Sequence, residues 1–318
     1  MRIAFAGTAE VALPVLRAVL GAGHEVAVVI TAPNQPAGRG YQLTPPPVKV
    51  EAQRLGLPVL QPDRIKDHEF LAALRRAAPE VVVIMAFGQK LTPAFLSLPP
   101  HGCLNLHPSL LPKYRGAAPV AWALIRGETE TGVTIFRVVK RWDAGDILLQ
   151  QRVPIRPYET AGELNARLAE LGATLMVETL RSVADGTAVF TPQNDADATL
   201  APMLTKEDGV VDWTRPANEV CHRVRGVTPW PGAFTFFHSH SSGPAHRVIL
   251  LRAKPAEWRG GALPGEVIAA DHGLLRVAAG RDAVDILEVK PAGKRGMDGA
   301  AFVRGHHVAT GDLFGLEA

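Results

Sequence analysis

Five consecutive apolar residues, Val81–Met85, leave little choice about how this part of the chain folds. Side chains alternate between the two faces of a strand, so an unbroken apolar run is stable only where both faces are covered. Five residues are too few for a buried helix, and the run is bounded by Pro79 and Gly88. Coverage on both faces implies helices above and below a sheet. The surrounding sequence supplies them. Arg2–Ala6 and Glu25–Thr31 read as further strands, with a helical stretch over Val11–Leu20 that ends at Gly21-Ala22-Gly23. Pro14 fits that helix only in its first turn. Val48–Leu55, Val59–Leu60, Asp67–Ala77, Cys103–Leu106 and a helix over about Ala117–Arg126 continue the alternation. This is the signature of an open, mostly parallel α/β sheet. Ligands bind such sheets beyond the carboxyl ends of the strands, which directs attention to the loops after Met85 and Leu106.

Thr131–Val138 and Ile147–Val153 read as two more strands. Ala161–Ala184 is a long helical pattern with Leu164, Leu168, Leu171, Leu175 and Leu180 on its packing face. Thr191–Asp195 then reads as a linker, and the character changes after it. Phe234–Phe237, Val248–Ala253, Glu266–Ala270, Leu274–Ala278 and Val284–Val289 are short strands separated by Gly and Pro, the pattern of a small β-barrel. The 318 residues therefore divide into two domains, expected at 1–188 and 209–318 with a linker at 189–208. An irregular loop of unusual length, about Ala32–Pro47, is expected to be functional or mobile.

Composition narrows the class. Forty-seven per cent hydrophobic and 20% charged residues are those of an ordinary globular protein, and a net charge of +3 permits a nucleic-acid partner without requiring one. Two cysteines, Cys103 and Cys221, make neither a disulfide framework nor a zinc pattern. No basic-then-apolar leader and no apolar run of about 18 residues is found, so a cytoplasmic, membrane-free protein is expected.

The chemistry concentrates in Asn105-Leu106-His107-Pro108-Ser109-Leu110-Leu111-Pro112-Lys113-Tyr114-Arg115-Gly116. Asn105 and His107 are two apart at a strand end and so share a face. An amide and an imidazole side by side can both donate to one oxygen, which suits stabilisation of an oxyanion in acyl transfer. The same pair also fits a loop cap and a surface histidine. Asp143, in Arg141-Trp142-Asp143-Ala144-Gly145-Asp146, is a carboxylate that would orient His107 or take a proton. Spacing alone does not bring Asp143 to His107. Ser109 is not framed by the Gly-x-Ser-x-Gly turn of a serine nucleophile, and no Gly-x-Gly-x-x-Gly follows the first strand, which removes the nicotinamide fingerprint.

Asn105-x-His107, Ser109-Leu110-Leu111-Pro112-x-x-Arg115-Gly116 and Asp143-x-Gly145-Asp146 together resemble the signature of the 10-formyltetrahydrofolate-dependent formyltransferases. Within them the chain is similar to the methionyl-tRNA branch, through Ile3–Thr8, Pro36–Gly40 with Pro45–Val50, Gly116–Pro119, Glu130–Ile135, Val211-Asp212-Trp213, Pro229-Trp230-Pro231 and Pro291–Lys294. The resemblance spans nearly the whole chain. It implies a Rossmann-like sheet domain followed by a smaller, OB-like barrel, and formyl transfer from 10-formyltetrahydrofolate to the amino group of initiator Met-tRNA. It places the catalytic roles on Asn105, His107 and Asp143. It places folate contacts on Ser109, Leu110, Leu111, Pro112 and on the main chain of Ala86, Phe87, Gly88 and Gln89. It places tRNA contacts on Gly38, Arg39, Gly40 and Lys49 and on the barrel, which it makes the tRNA-binding domain. It implies no metal and no stable protein partner. Two departures stand out, Ala9-Glu10 where Pro-Asp is usual and Trp142 where Leu or Met is commoner. In the barrel, Arg223, Arg225, Arg247, Arg252, Lys254, Lys290, Lys294 and Arg295 are the candidate cations. From residue 209 on, 13 Lys and Arg stand against 11 Asp and Glu, so with a net of +2 an RNA face there must come from clustering.

Overall fold

The computed structural model describes residues 1–37, 42–240, 244–271 and 273–316. The chain divides into two compact units. The first comprises Met1–Gly116, Thr131–Val153 and Asn165–Leu200, and the second Ala117–Glu130, Pro154–Leu164 and Ala201–Ala318.

The first unit is built on a seven-stranded sheet. Its strands are β1 (Arg2–Gly7), β2 (Glu25–Ile30), β5 (Val59–Leu60), β6 (Val81–Met85), β7 (Cys103–His107), β8 (Glu130–Arg137) and β9 (Ile147–Pro154), in the order β5-β2-β1-β6-β7-β8-β9. The pairs from β5 through β7 are parallel, and β7 with β8 is antiparallel. All five residues of β6 are buried, as its composition requires. On one face Ala4, Ala6, Val82 and Ile84 pack with Phe70, Leu71 and Leu74 of α3 (His68–Ala77). On the other, Ile3, Phe5, Val81 and Val83 are buried as well. The mostly parallel, Rossmann-like sheet expected from sequence is therefore present.

Helix α1 runs over Leu13–Gly21 after a 3₁₀ turn at Glu10–Ala12, which places Pro14 in its first turn where a missing N–H costs nothing. The long loop is more regular than expected. It contains a two-stranded antiparallel ribbon, β3 (Gln35–Ala37) with β4 (Gln42–Thr44), leading to α2 (Pro47–Arg54). Antiparallel pairing of three residues on each side gives it an order that its Gly and Pro content disguised.

The second unit is a strongly curved antiparallel sheet of β10 (Ala233–His238), β11 (His246–Ala256), β12 (Val267–Ala269), β13 (Arg276–Ala278), β14 (Ala283–Pro291) and β16 (Leu313–Gly315), with β15 (Met297–Asp298) on β14. The order is β12-β13-β14-β11-β10-β16. A bridge from Glu266 to Leu313, with Val267 N–H donating to Asp312 C=O at 2.8 Å and Phe314 N–H to Gly265 C=O at 2.7 Å, joins the two ends of that order into a barrel. Closure removes the free edges of the sheet. Trp213, Phe237, Val248, Val277, Phe302 and Phe314 fill the interior. Two helices not read from the sequence belong here, α7 (Ala217–Gly226) and α8 (Gly299–His306). Helix α7 packs on α5 (Pro119–Ile125) through Gly226, where a Cβ would lie 2.5 Å from Ile125 Cγ1.

Candidate active site

Strand β7 ends the parallel run, and its register against β8 pairs Asn105 with Phe136 and His107 with Thr134. His107 is buried, with its ring edge-on to Phe136 at 6.4 Å. Its Nε2 lies 2.8 Å from the carbonyl oxygen of Tyr114. A carbonyl can only accept, so Nε2 carries a proton and Nδ1 is the nitrogen left for chemistry. Nδ1 lies 3.8 Å from Asp143 Oδ2. The approach that spacing left open is thus made in the fold. It is too long for a direct hydrogen bond and close enough for a charge interaction.

Asp143 sits at φ +44°, a left-handed conformation uncommon for any residue but glycine. Its Oδ2 accepts from Gly116 N–H at 2.8 Å. Oδ1 has no donor among the described residues. The half-buried Asn105 likewise has no side-chain hydrogen-bond partner among the described residues. An amide donor, an imidazole nitrogen and a carboxylate oxygen are therefore uncommitted, on one strand end and the loop that meets it. The glycine of the Asp143-x-Gly145 motif has a steric reason, because a Cβ on Gly145 would lie 1.7 Å from the Arg137 carbonyl oxygen. Trp142, beside Asp143, is 60% exposed.

The turn after His107 is held from beneath by a residue that sequence reading passed over. Thr134 is fully buried, and its hydroxyl donates to Ser109 C=O at 2.6 Å. It accepts from Leu111 N–H at 3.2 Å and from Gln150 Nε2 at 2.8 Å. Ser109 itself is fully buried and donates through Oγ to Lys113 C=O at 2.7 Å. The structure thus spends the Ser109 hydroxyl on the turn. Leu111 is buried, and Leu110 and Pro112 are partly exposed. No sequence signal marks Thr134, because its place opposite His107 is set by the strand pairing, and a buried hydroxyl there needs polar partners.

In the loop after β6, Ala86 is left-handed at φ +49° and Gly88 at +83°. Thr8 holds the loop, with its N–H donating to Ala86 C=O at 3.1 Å and its hydroxyl to Phe87 C=O at 2.9 Å. Gln89 donates to Pro62 C=O at 3.1 Å. Among the described residues the N–H groups of Phe87, Gly88 and Gln89 have no acceptor, and Gly88 is exposed. A loop braced from behind with unspent main-chain donors in front can hold a polar heterocycle through its backbone.

Of the expected tRNA contacts, Gly38, Arg39 and Gly40 lie outside the described residues. Lys49 is on α2, and its ammonium donates to Asn34 Oδ1 at 3.0 Å, an oxygen that also accepts from Gln61. The barrel cations separate into two sets. Arg223 pairs with Asp208, Arg252 with Glu163 and Glu288, and Lys254 with Asp285. Burial lowers the Arg225 pKa. Arg247, Lys290, Lys294 and Arg295 are exposed and have no carboxylate partner among the described residues. Arg247 instead stacks 4.1 Å over the Phe234 ring. Ala292 N–H donates to Arg247 C=O, so the turn bearing Lys294 and Arg295 runs beside the start of β11. Among the described residues no helix is long and apolar enough to cross a membrane, and no group of three His, Cys, Asp or Glu could hold a metal ion.

Comparison with known proteins agrees with this layout. The formyl transferase family model matches residues 1–180, and that of the formyl transferase C-terminal domain matches residues 203–307. Among solved structures, HypX from Aquifex aeolicus in complex with tetrahydrofolic acid superposes with a TM-score of 0.64 at 21% identity, over 96% of this chain and 47% of that one. WlaRD, a sugar 3N-formyl transferase, superposes with a TM-score of 0.66 at 16% identity, over 93% of this chain and 99% of that one. At those identities the likeness is one of fold. Among curated relatives, the methionyl-tRNA formyltransferase of Moorella thermoacetica is 44% identical over 99% of each chain. That of Acidobacterium capsulatum is 46% identical over 97% of this chain and 98% of its own. With that identity sustained from end to end across both domains, the chain belongs to the methionyl-tRNA formyltransferase family.

Proposed function

We propose that the chain transfers the formyl group of 10-formyltetrahydrofolate to the α-amino group of initiator methionyl-tRNA, at the site formed by Asn105, His107 and Asp143. The observation that carries this reading is the approach of the Asp143 carboxylate to the nitrogen of His107 not bonded to Tyr114, beside an Asn105 amide that has no side-chain partner among the described residues.

The chemistry follows from which atoms are uncommitted. The neutral amine attacks the formyl carbon, a C–N bond forms, and the carbonyl oxygen becomes an oxyanion. Asn105 donates an N–H to that oxygen. The protonated ring of His107 donates from Nδ1, since its Nε2 proton is already given to Tyr114. The Asp143 anion stabilises the imidazolium, and its free Oδ1 accepts the proton shed by the attacking nitrogen. The bond to N10 then breaks, and that proton returns to the departing nitrogen. No bond to the enzyme is formed. The main chain of Ala86–Gln89 and the Asp143 loop would hold the pterin, with the Ser109–Pro112 turn, fixed by Thr134, completing the folate site. The division of labour we infer is chemistry in 1–188 and tRNA binding in 209–318. Arg247, Lys290, Lys294 and Arg295 would meet phosphates there, with Arg39 and Lys49 contributing from the first domain.

The test is formyl transfer from 10-formyltetrahydrofolate to charged initiator tRNA, run beside small-amine and amino-sugar nucleotide acceptors. Turnover on Met-tRNA alone is expected. Asn105→Ala and His107→Ala should each lower kcat about 10²–10³-fold, the usual loss of one oxyanion donor. Equal turnover of a small acceptor, or wild-type rates in both variants, would overturn the assignment.

A further inference from the structure

The structure assigns a positioning role in catalysis to Gln193, a residue of the segment that reads as a linker. The inference rests on the reaction proposed above. The Gln193 amide is saturated. Its Nε2 donates to Asp143 C=O at 2.9 Å and to Gly145 C=O at 2.7 Å. Its Oε1 accepts from Arg115 Nε at 3.1 Å and Nη2 at 2.7 Å. The orientation of the amide is not in question, because a guanidinium only donates and a carbonyl only accepts. Two carbonyls flanking Ala144 therefore converge on one NH₂ group, and the buried Arg115 prevents that group from turning over.

The consequence falls on the carboxylate. Asp143 occupies left-handed backbone, which an L-residue leaves unless its surroundings hold it there. Gln193 holds it through the main chain, and Gly116 N–H holds it through Oδ2. Because Gly116 follows Arg115 in sequence, the contacts form a closed circuit of Arg115, Gln193, Asp143 and Gly116. Neighbouring contacts reinforce it. Thr191 and Ile147 exchange main-chain hydrogen bonds at 2.8 and 2.9 Å, and Asp195 accepts from Arg115 at 2.9 Å and from Arg141 on the same loop. The segment then turns along the motif, with Arg115 N–H donating to Thr199 C=O at 2.8 Å. Removing the Gln193 donor frees the two carbonyls, lets Asp143 relax, and moves its carboxylate off Nδ1 of His107.

The experiment is a double-mutant cycle on kcat with 10-formyltetrahydrofolate and Met-tRNA, using Gln193→Ala, Asp143→Asn and the double variant. Gln193→Ala is expected to lower kcat about 10–100-fold, the scale of an ångström-level misplacement, with each KM within about threefold of wild type. In the Asp143→Asn background the same change should cost less than about threefold, because the group it positions is already disabled. Gln193→Glu keeps the length and the acceptor facing Arg115 but removes the donor. It must reproduce the loss, and it carries the test should truncation unfold the loop. A Gln193→Ala enzyme with at least half the wild-type kcat, or losses that multiply in the double variant, overturns the role. Wild-type turnover by Asp143→Asn itself would instead refute the reaction on which the role depends.

Discussion

Thr134→Val is the sharpest probe of how the His107 turn is built, because it changes one buried atom and almost no volume. Valine matches threonine in shape, so any effect comes from the hydroxyl. Its loss strands Ser109 C=O and Leu111 N–H, in two buried residues and without another partner among the described residues, while Gln150 keeps its bond to Leu111 C=O at 3.0 Å. A buried polar group left unpaired costs about 1–3 kcal/mol, so two cost about 2–6 kcal/mol before relaxation. At about 2–4 °C per kcal/mol for a domain of this size, that corresponds to a fall in Tm of roughly 4–24 °C. Thr134→Ser makes the comparison decisive, since it keeps the hydroxyl and loses one buried methyl, about 1 kcal/mol. Urea unfolding and scanning calorimetry should rank wild type above Thr134→Ser and Thr134→Val last. Hydrophobicity alone predicts the reverse order for the two variants. A Thr134→Val protein as stable as Thr134→Ser would show that the turn does not depend on this hydroxyl.

Three further outcomes follow from the structure. Gly145→Ala, which forces a Cβ against the Arg137 carbonyl, should displace the Asp143 loop and lower kcat by at least about tenfold, read by steady-state kinetics at a temperature where the variant is folded. Hydrogen bonds from Arg54 and Arg17 draw the Glu51 carboxyl down to about 2. The folded state thus resists protonation there, so its contribution to stability is intact above about pH 4.5 and fades as pH falls toward 2. Glu51→Gln should flatten the acid limb of a urea-midpoint profile across that window and lower stability above it. The paired substitution Lys294→Ala with Arg295→Ala should weaken tRNA binding and reduce the slope of log Kd against log salt by about one per cation. An unchanged slope in filter binding would remove that turn from the interface.

Much of the architecture was legible because it depends on local pattern. The apolar run Val81–Met85 fixed its strand as buried on both faces, and the period of two put Asn105 and His107 on one side. The leucines of Ala161–Ala184 marked a helix that is present over that span as α6. Helix α7 was missed although Ala217, Val220, Cys221 and Val224 stand at helical spacing. The segment is short, and polar residues interrupt its apolar positions, so the pattern is weak. The tertiary hydrogen bonds were not legible at all. Thr134 and Gln193 act on backbone atoms 25 and about 50 positions away, and no periodicity records such a partner. The Asp143 loop shows the boundary between the two kinds of information. Its glycine was visible as part of a motif, but the reason for it, a carbonyl 1.7 Å from where a methyl group would sit, exists only in three dimensions.

The stretch from Thr191 to Leu200 also bears on where this protein can be cut. It follows α6 and would ordinarily be discarded as a tether when the sheet-bearing half is expressed by itself. A fragment ending at Ala188 would keep every strand of the parallel sheet and each of Asn105, His107 and Asp143, yet lose the amide that clasps the acidic loop and the backbone that flanks Arg115. Such a fragment would carry Asp143 on an unclasped loop, whereas one extended through Leu200 retains the Gln193 contacts.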